Sequence, residues 1–243
     1  MPVYALSDDC QLFPSPSDAE PDGLLAIGGD LSPTRLLAAY SSGIFPWYAE
    51  NLPLLWWSPD PRCVLFPEEL HRPKSLAKSL RKKNFRCTFD TAFARIIEGC
   101  AVTRMPRRLP KADNANEHTD GTWLVPEMIE AYTRMHRLGF AHSVEIWSER
   151  GLAGGLYGLC LGGIFFGESM FYTEPEASKA ALLHLVDFLV PRKVFIIDCQ
   201  QETDHLIRFG ARPIPRQEFL QHVERAVAMP THRGSWADWR ING

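Results

Sequence analysis

The run VFIIDCQ (194–200) ends in a carboxylate, a thiol and an amide. A short, fully apolar run of this kind reads as a buried strand. Side chains alternate along a strand, so Asp198 and Gln200 fall on one face and Cys199 on the other. A carboxylate two residues from an amide can hold that amide in one orientation, and ligands in open α/β sheets gather at the carboxyl ends of strands. The pair suits the positioning of a reacting group; it equally suits a structural Asp and Gln that satisfy loop backbone groups. Cys199 has no base or orienting group identifiable from sequence, so no nucleophilic role is assigned to it.

Glu168 is the second candidate. It stands in GESMF, with IFF before it and MF after it. A carboxylate in apolar surroundings needs a partner, either a Lys or Arg of the protein or a cationic ligand. Trp47, Trp56, Trp57 and Trp123 have the flat rings that stack on nucleobases, although tryptophan also serves as core. From Arg72 to Arg86 there are seven Lys or Arg and no Asp or Glu, whereas the rest of the chain holds 19 basic against 29 acidic residues. Lys74, Lys78, Arg81 and Lys82 fall at i, i+4, i+7 and i+8, one face of a helix, with Leu76 and Leu80 available to anchor the other. A polyanion such as nucleic acid phosphate would relieve their mutual repulsion; a solvated surface helix is the plainer reading.

These residues need elements to hold them. Ser32-Pro33 and Gly43 bracket a short capped helix. The proline- and tryptophan-rich stretch to Pro61 marks a boundary between a small first domain, 1–61, and a larger one, 62–243. Beyond it the pattern predicts a strand at CVLF, the basic helix, a strand over 85–89 and a helix around TAFARIIEGCA. Residues 106–120 are polar, lack periodicity and read as a loop. Pro126 opens a helix closed by Gly139. Strands follow at AHSVEIW, LAGGLYGLCLG and IFFGESMF, the last two joined at Gly162-Gly163. Ser178 is expected to cap a helix ended by Pro191, ahead of the strand 194–198. A short helix follows Thr203 and stops at Gly210, and another runs over about 217–229. After residue 126 the order α-β-β-β-α-β-α is an α+β layout that matches the plan of GNAT-type acyltransferases, a plan silent on substrate. The turn where a CoA-dependent enzyme of this plan needs a glycine-rich pyrophosphate loop reads MFYTEPEASKAA, with Glu174 and Glu176 and no glycine, which weighs against CoA.

Composition narrows the classes. Apolar residues make up 45% and charged residues 23%, ordinary globular values that exclude wholesale disorder. No apolar run approaches the roughly 20 residues of a membrane helix. The first residues lack a basic region followed by an apolar stretch, so a cytoplasmic address is the expectation. Six cysteines without a CxxC pair, and eight histidines without HxH or HxxxH, give no expectation of zinc or disulfides.

Taken together, GLLAIGGDLSPTRLLAAYSSGIFPW, LWWSPDPRCVLFP, EGCA, GTW, AHSVEIW, AGGLYG, FFGESMF, SKAAL and IDCQ, with His205 and GARPIPR downstream, closely resemble the leucyl/phenylalanyl-tRNA–protein transferase family, in order over about residues 4–216. The resemblance implies an enzyme that takes Leu or Phe, less readily Met, from aminoacyl-tRNA. It joins that residue to the α-amine of a protein beginning with Arg or Lys, marking the protein for N-end-rule degradation. It also implies a small N-terminal domain, a GNAT-like C-terminal domain, no metal and no cofactor; a monomer is expected.

By the same resemblance Asp198 and Gln200 act together and Glu168 is an active-site carboxylate. Our hypothesis is that Asp198 orients Gln200, whose amide oxygen accepts a hydrogen bond from the attacking amine, because an amide is too weak a base to take the proton. Glu168 would meet either an amine or the basic first side chain of the acceptor. Leu156, Phe165, Leu182, Leu185, Leu189 and Ile197 map to the pocket for the donor side chain. Trp47 and Trp123 map near the 3′ adenosine, and the basic helix would grip the acceptor stem without reading its sequence. The chain departs from the family in a longer 106–120 loop and in Leu156, where some relatives are expected to carry Met. Two rivals stand beside this reading: an acyltransferase using a small acyl thioester, and a non-catalytic tRNA-binding module.

Overall fold

In the computed structural model, which describes residues 3–7, 11–49, 52–102 and 124–238, strand period and helix period sort the chain into two sheets and seven α-helices. The first sheet is built from short strands: β1 (Tyr4–Leu6), β2 (Leu24–Gly28), β3 (Phe45–Pro46) and β4 (Leu55–Trp57), in the order β1-β2-β4-β3. Helix α1 (Pro33–Ser41) lies between β2 and β3. Its start follows the expected chemistry: the Ser32 hydroxyl accepts from the Arg35 N–H at 3.3 Å, and Pro33 sits in the first turn. Sequence pattern does not reveal these four strands. Each is two to five residues long, and the prolines and glycines that punctuate them read as turns.

Between Trp57 and Arg62 the chain leaves this sheet for the second. It continues as β5 (Arg62–Leu65), α2 (Lys74–Leu80), β6 (Arg86–Phe89), α3 (Phe93–Val102), α4 (Pro126–Arg137), β7 (Ala141–Ser148), β8 (Gly151–Leu161), β9 (Ile164–Tyr172), α5 (Ala177–Leu189), β10 (Ile196–Gln200), α6 (Asp204–Ile207), β11 (Arg212–Ile214) and α7 (Arg216–Val227). The seven strands lie in the order β11-β5-β10-β9-β8-β7-β6. β9 and β10 are parallel, joined by the α5 crossover, and the other neighbours are antiparallel. Among the described residues, no helix is long and apolar enough to cross a membrane.

Alternation divides the sheet between two apolar clusters. Tyr157, Ile164, Phe166 and Ile196 pack toward α1, α3, α4 and α7 in a cluster that also takes in Leu25, Trp47 and Trp56 of the first sheet. Leu156, Phe165, Ile197 and Cys199 pack on the other face against α5. The apolar core therefore runs across the passage from the first sheet to the second. Glycines in β8 let the layers close up. A Cβ on Gly158 would lie 2.1 Å from the Phe166 carbonyl oxygen and 2.6 Å from the Phe165 ring. One on Gly155 would lie 2.4 Å from the Ile96 side chain of α3.

Four elements of the second sheet and its helices differ from expectation: the three-residue strand β11 over Arg212–Ile214 is not expected at all, and three others shift their bounds. Helix α2 stops at Leu80, so Arg81 and Lys82 lie in the turn beyond it rather than on its face; Arg81, Lys82 and Lys83 repel one another, and Asn84 takes φ +50°. Helix α5 begins at Ala177, with Glu176 at φ +76° as its first flanking residue, and Ser178 is buried inside the helix instead of capping it. β10 begins at Ile196, because Lys193 at φ +61° turns the chain and the Phe195 N–H donates to the Gly163 carbonyl at 2.9 Å.

Candidate active site at the parting of two strands

The parallel strands β9 and β10 pair as Ile196 with Ile164, Ile197 with Phe165 and Asp198 with Phe166. β9 continues to Tyr172, but no further pair joins it to β10. On its other side β10 stays with β5, through an irregular step between Asp198 and Gln200. Gln200 has φ +62°, a left-handed conformation that costs a non-glycine residue about 1–3 kcal/mol. The carboxyl ends of the two parallel strands thus part at Asp198, and Glu168 and Gln200 face each other across the opening.

Asp198 is fully buried and held by a fork. Arg62 of β5 donates from Nε to Oδ1 at 2.8 Å and from Nη2 to Oδ2 at 2.7 Å. The guanidinium is equally buried and lies 4.6 Å from the ring centres of both Phe45 and Phe219. The Gln200 backbone N–H donates to Asp198 Oδ1 at 2.9 Å, which holds the left-handed turn. Asp198 therefore orients the backbone of Gln200, not its amide. The amide is oriented by the other carboxylate: Gln200 Nε2 donates to Glu168 Oε1 at 3.3 Å. A carboxylate can only accept, so the NH2 must face Glu168, and the Gln200 carbonyl oxygen is presented on the opposite side.

Glu168 itself is 1% exposed. The Tyr40 hydroxyl of α1 donates to Oε1 at 2.7 Å and the Tyr132 hydroxyl of α4 to Oε2 at 2.9 Å, with the two phenol oxygens 2.6 Å apart. Burial, and then the Glu168 charge, push the Tyr40 phenol well above its usual range, so it stays a donor at physiological pH. Where sequence suggests a cationic partner for Glu168, these hydrogen bonds come from neutral phenols and an amide. Sequence pattern does not single out Arg62, Tyr40 or Tyr132; nothing in SPDPR, LLAAYS or EAYTR links them to 198 or 168.

The six apolar candidates come together. Leu156, Phe165 and Ile197 project from three neighbouring strands, and Leu182, Leu185 and Leu189 of α5 cover them. All six are buried on the face of the sheet opposite Glu168 and Asp198. Phe165 and Ile197 are the pair just before the strands part. Cys199 also points to this face, its thiol 3.8 Å from the Ile197 carbonyl, away from Asp198 as alternation requires. In the β9–α5 turn, Glu174 accepts from Ser148 and pairs with Arg150, and Glu176 pairs with Lys179.

The nucleic-acid candidates divide. Lys74 and Lys78 on α2, and Arg81 and Lys82 after it, lie at the surface, while Leu76 anchors the helix to the α5-side cluster. Trp47 is only 3% exposed, its ring centre 6.0 Å from that of Trp57, whose indole N–H donates to the Trp47 carbonyl at 2.7 Å. Trp56 is buried and donates to the Gly28 carbonyl. These three rings serve as core here, and an adenine reaches Trp47 only if neighbours give way. Trp123 and the 106–120 loop lie outside the described residues.

The family profile described as leucyl/phenylalanyl-tRNA protein transferase matches residues 64–224, and the profile for the N-terminal domain of the same family matches residues 29–60. A protein of Anaeromyxobacter sp. (strain Fw109-5), named leucyl/phenylalanyl-tRNA–protein transferase, is 56% identical over 97% of this chain and 95% of its own. One of the same name from Desulfatibacillum aliphaticivorans is 52% identical over 100% of this chain and 99% of its own. Among solved structures, a functionally unknown conserved protein from Staphylococcus epidermidis ATCC 12228 aligns over 79% of this chain and 68% of its own, with a TM-score of 0.43 and 7% identity, too slight a likeness to argue from.

Proposed function

The chain belongs to the leucyl/phenylalanyl-tRNA–protein transferase family, a family of transferases, and from that premise we propose that it moves leucine or phenylalanine, less readily methionine, from aminoacyl-tRNA to the α-amine of a protein beginning with Arg or Lys. The modified protein would then enter the N-end-rule degradation route. One observation carries this reading: the Gln200–Glu168 bridge spans the opening between β9 and β10, directly above an apolar cluster on the other face of the sheet.

The donor ester is already activated, so the reaction is aminolysis. The amine nitrogen attacks the ester carbonyl, a C–N bond forms, and the C–O bond to the terminal ribose breaks. The proton given up by the amine ends on the ribose oxygen. An α-amine titrates near 7.7–8.0, so a useful neutral fraction exists at neutral pH. The enzyme's task is alignment. The Gln200 carbonyl oxygen accepts a hydrogen bond from the amine while Glu168, held by Tyr40 and Tyr132, keeps the amide from turning. The Glu168 charge favours an acceptor whose first residue is basic. The donor side chain enters among Leu156, Phe165, Leu182, Leu185, Leu189 and Ile197. Such a surface rejects charged side chains but separates Leu from Phe or Met by only about 1–3 kcal/mol. Lys74, Lys78, Arg81 and Lys82 hold the tRNA backbone.

The GNAT-like plan for residues 62–243 draws support from the parallel β9–β10 pair, its α5 crossover and its parted ends; the division at 61 draws support from the change of sheet there. The acidic turn at Glu174 and Glu176 favours a donor other than CoA. The direct test is transfer of label from charged Leu-tRNA and Phe-tRNA to an Arg-starting peptide, with an Ala-starting peptide as control. Transfer to the first peptide alone is expected. No transfer from either donor would overturn the reading in favour of a tRNA-binding module. Gln200→Ala should lower kcat about 100-fold, the cost of losing alignment, with KM for the tRNA little changed. Near-normal turnover at saturating substrates would remove Gln200 from the mechanism.

A further inference from the structure

The segment after α7 is a strap tied down by polar anchors at the β8–β9 turn, the end of α5 and the α4–β7 turn. The Gly162 N–H donates to the Thr231 hydroxyl at 2.9 Å, and His232 Nε2 lies 2.9 Å from the Arg192 carbonyl. Arg233 donates to the Leu138 carbonyl, and the Gly234 N–H to the Gly139 carbonyl. Gly139 is required there: at φ +79°, it would place a Cβ 2.4 Å from the Gly234 nitrogen. Beyond these anchors the strap inserts Trp236, 1% exposed, into the cluster under α5.

Trp236 is fixed from two sides. Its backbone N–H donates to Asp90 Oδ2 at 2.8 Å, and the same oxygen meets His142 Nδ1 at 2.8 Å. The imidazole of His142 stacks on the indole at 3.7 Å, with 4° between the planes. Its indole N–H reaches back to the His232 carbonyl at 3.3 Å. The ring also meets Phe188 of α5, with centres 4.5 Å apart, and Phe165, with centres 6.2 Å apart. Phe165 belongs to the apolar surface assigned above to the donor side chain, and Phe188 precedes Leu189 of that same surface.

We propose that Trp236 is a specificity-determining residue for the donor, acting as a rigid wall behind Phe165 and so setting the depth available to the incoming side chain. The inference rests on the donor-pocket reading of the previous subsection. A core this dense transmits a change of volume to its neighbours. With Trp236 in place, Phe165 cannot retreat. A smaller residue at 236 leaves space into which Phe165 moves, deepening the site on the side the donor enters. The longer aromatic donor then gains relative to leucine. Trp236 touches no reacting atom; it acts through Phe165.

The test is the ratio of kcat/KM for Phe-tRNA to that for Leu-tRNA in the full chain. Trp236→Phe and Trp236→Leu should raise this ratio in that order, by roughly three- to tenfold, below the ~10–200-fold that a methylene-scale change in direct contact brings. Phe188→Leu frees the other side of Trp236 and should move the ratio the same way, which keeps the proposal testable if a Trp236 variant does not fold. Thermal unfolding of each variant accompanies the kinetics, since a merely structural role lowers both donors in parallel. Leu182→Ala tests the pocket itself. If it shifts the ratio while the Trp236 and Phe188 variants leave it unchanged, the wall is refuted and the pocket stands. If Leu182→Ala also leaves it unchanged, the pocket reading falls and the wall with it.

Discussion

At Gln200 a strained backbone and a bridging side chain meet in one residue, and each is held by a different carboxylate. Asp198 takes the backbone N–H and Glu168 takes the amide, so neither can stand in for the other. Asp198 in turn depends on Arg62. Removing one partner of a buried pair leaves the other charge uncompensated, at a cost of about 3–5 kcal/mol. Arg62→Met should therefore lower the unfolding free energy by that amount. Arg62→Lys keeps the charge but loses the two-point fork, so it should fall in between while still lowering kcat. Denaturant unfolding beside steady-state kinetics checks both; stability of Arg62→Met within about 1 kcal/mol of wild type would refute the account. The chain order explains why half of this site was legible. Asp198 and Gln200 stand two apart on a strand, and Glu168 interrupts an apolar run, so local pattern reveals them. Arg62 lies 136 residues from Asp198, and Tyr40 lies 128 from Glu168. Nothing local to an arginine after a proline, or to a tyrosine inside an amphipathic helix, says which carboxylate it will meet. The expectation that Asp198 orients the Gln200 amide fails for a related reason. Alternation puts both side chains on one face, but it does not foresee the left-handed turn that brings the backbone N–H to Asp198 and leaves the amide to Glu168.

At the scale of elements, the long strands and the helices with clear start and stop signals follow from periodicity, while the two- to five-residue strands of the first sheet do not. A strand of two residues, such as Phe45–Pro46, exists only because Trp57 and Trp56 stand opposite it. That is a tertiary fact. Helix α2 shows the reverse error. Its i, i+4, i+7, i+8 spacing is real, but the like charges of Lys78, Arg81, Lys82 and Lys83 crowd its end, and Arg81 and Lys82 continue the basic surface from a turn. Phosphate recognition by point charges tolerates this, because it needs proximity and not helical register. Changing Lys74, Lys78, Arg81 and Lys82 to Gln should raise KM for aminoacyl-tRNA and leave kcat near its normal value. The slope of log KM against log salt should flatten by roughly 0.7–0.9 for each phosphate that is no longer neutralised. KM measured over a salt series decides it; an unchanged slope takes α2 and its turn out of the binding surface.

At the scale of the molecule, three buried or half-buried histidines among the described residues share one sign. His142 in β7, His184 in α5 and His205 in α6 are each held below their usual range, in every case chiefly by burial. For His142 the hydrogen bond and charge of Asp90, and then a hydrogen bond to the Gly139 backbone, work the other way and do not win. Asp90 can only accept, so Nδ1 carries the proton and Nε2 is left as the buried nitrogen. A second proton would have to sit there, inside the stack with Trp236. A histidine whose folded value lies below its unfolded value of about 6.5 contributes stability that is fully present above that value. The contribution is lost as pH falls through the folded value, because below 6.5 the unfolded chain binds more protons than the native one. The melting temperature should therefore decline as pH is lowered from 7 toward 5, well before the carboxylates titrate. His142→Asn keeps a donor for Asp90 but cannot take up a proton. It should melt lower at pH 7, having lost the stack, yet show a shallower decline over the same interval. Because the strap and Phe165 are anchored through this stack, the variant should also raise the Phe-to-Leu donor ratio at pH 7 as Trp236→Phe does. Thermal melts of wild type and variant from pH 5 to 7.5 supply the comparison, and parallel curves would show that His142 contributes nothing to the acid sensitivity.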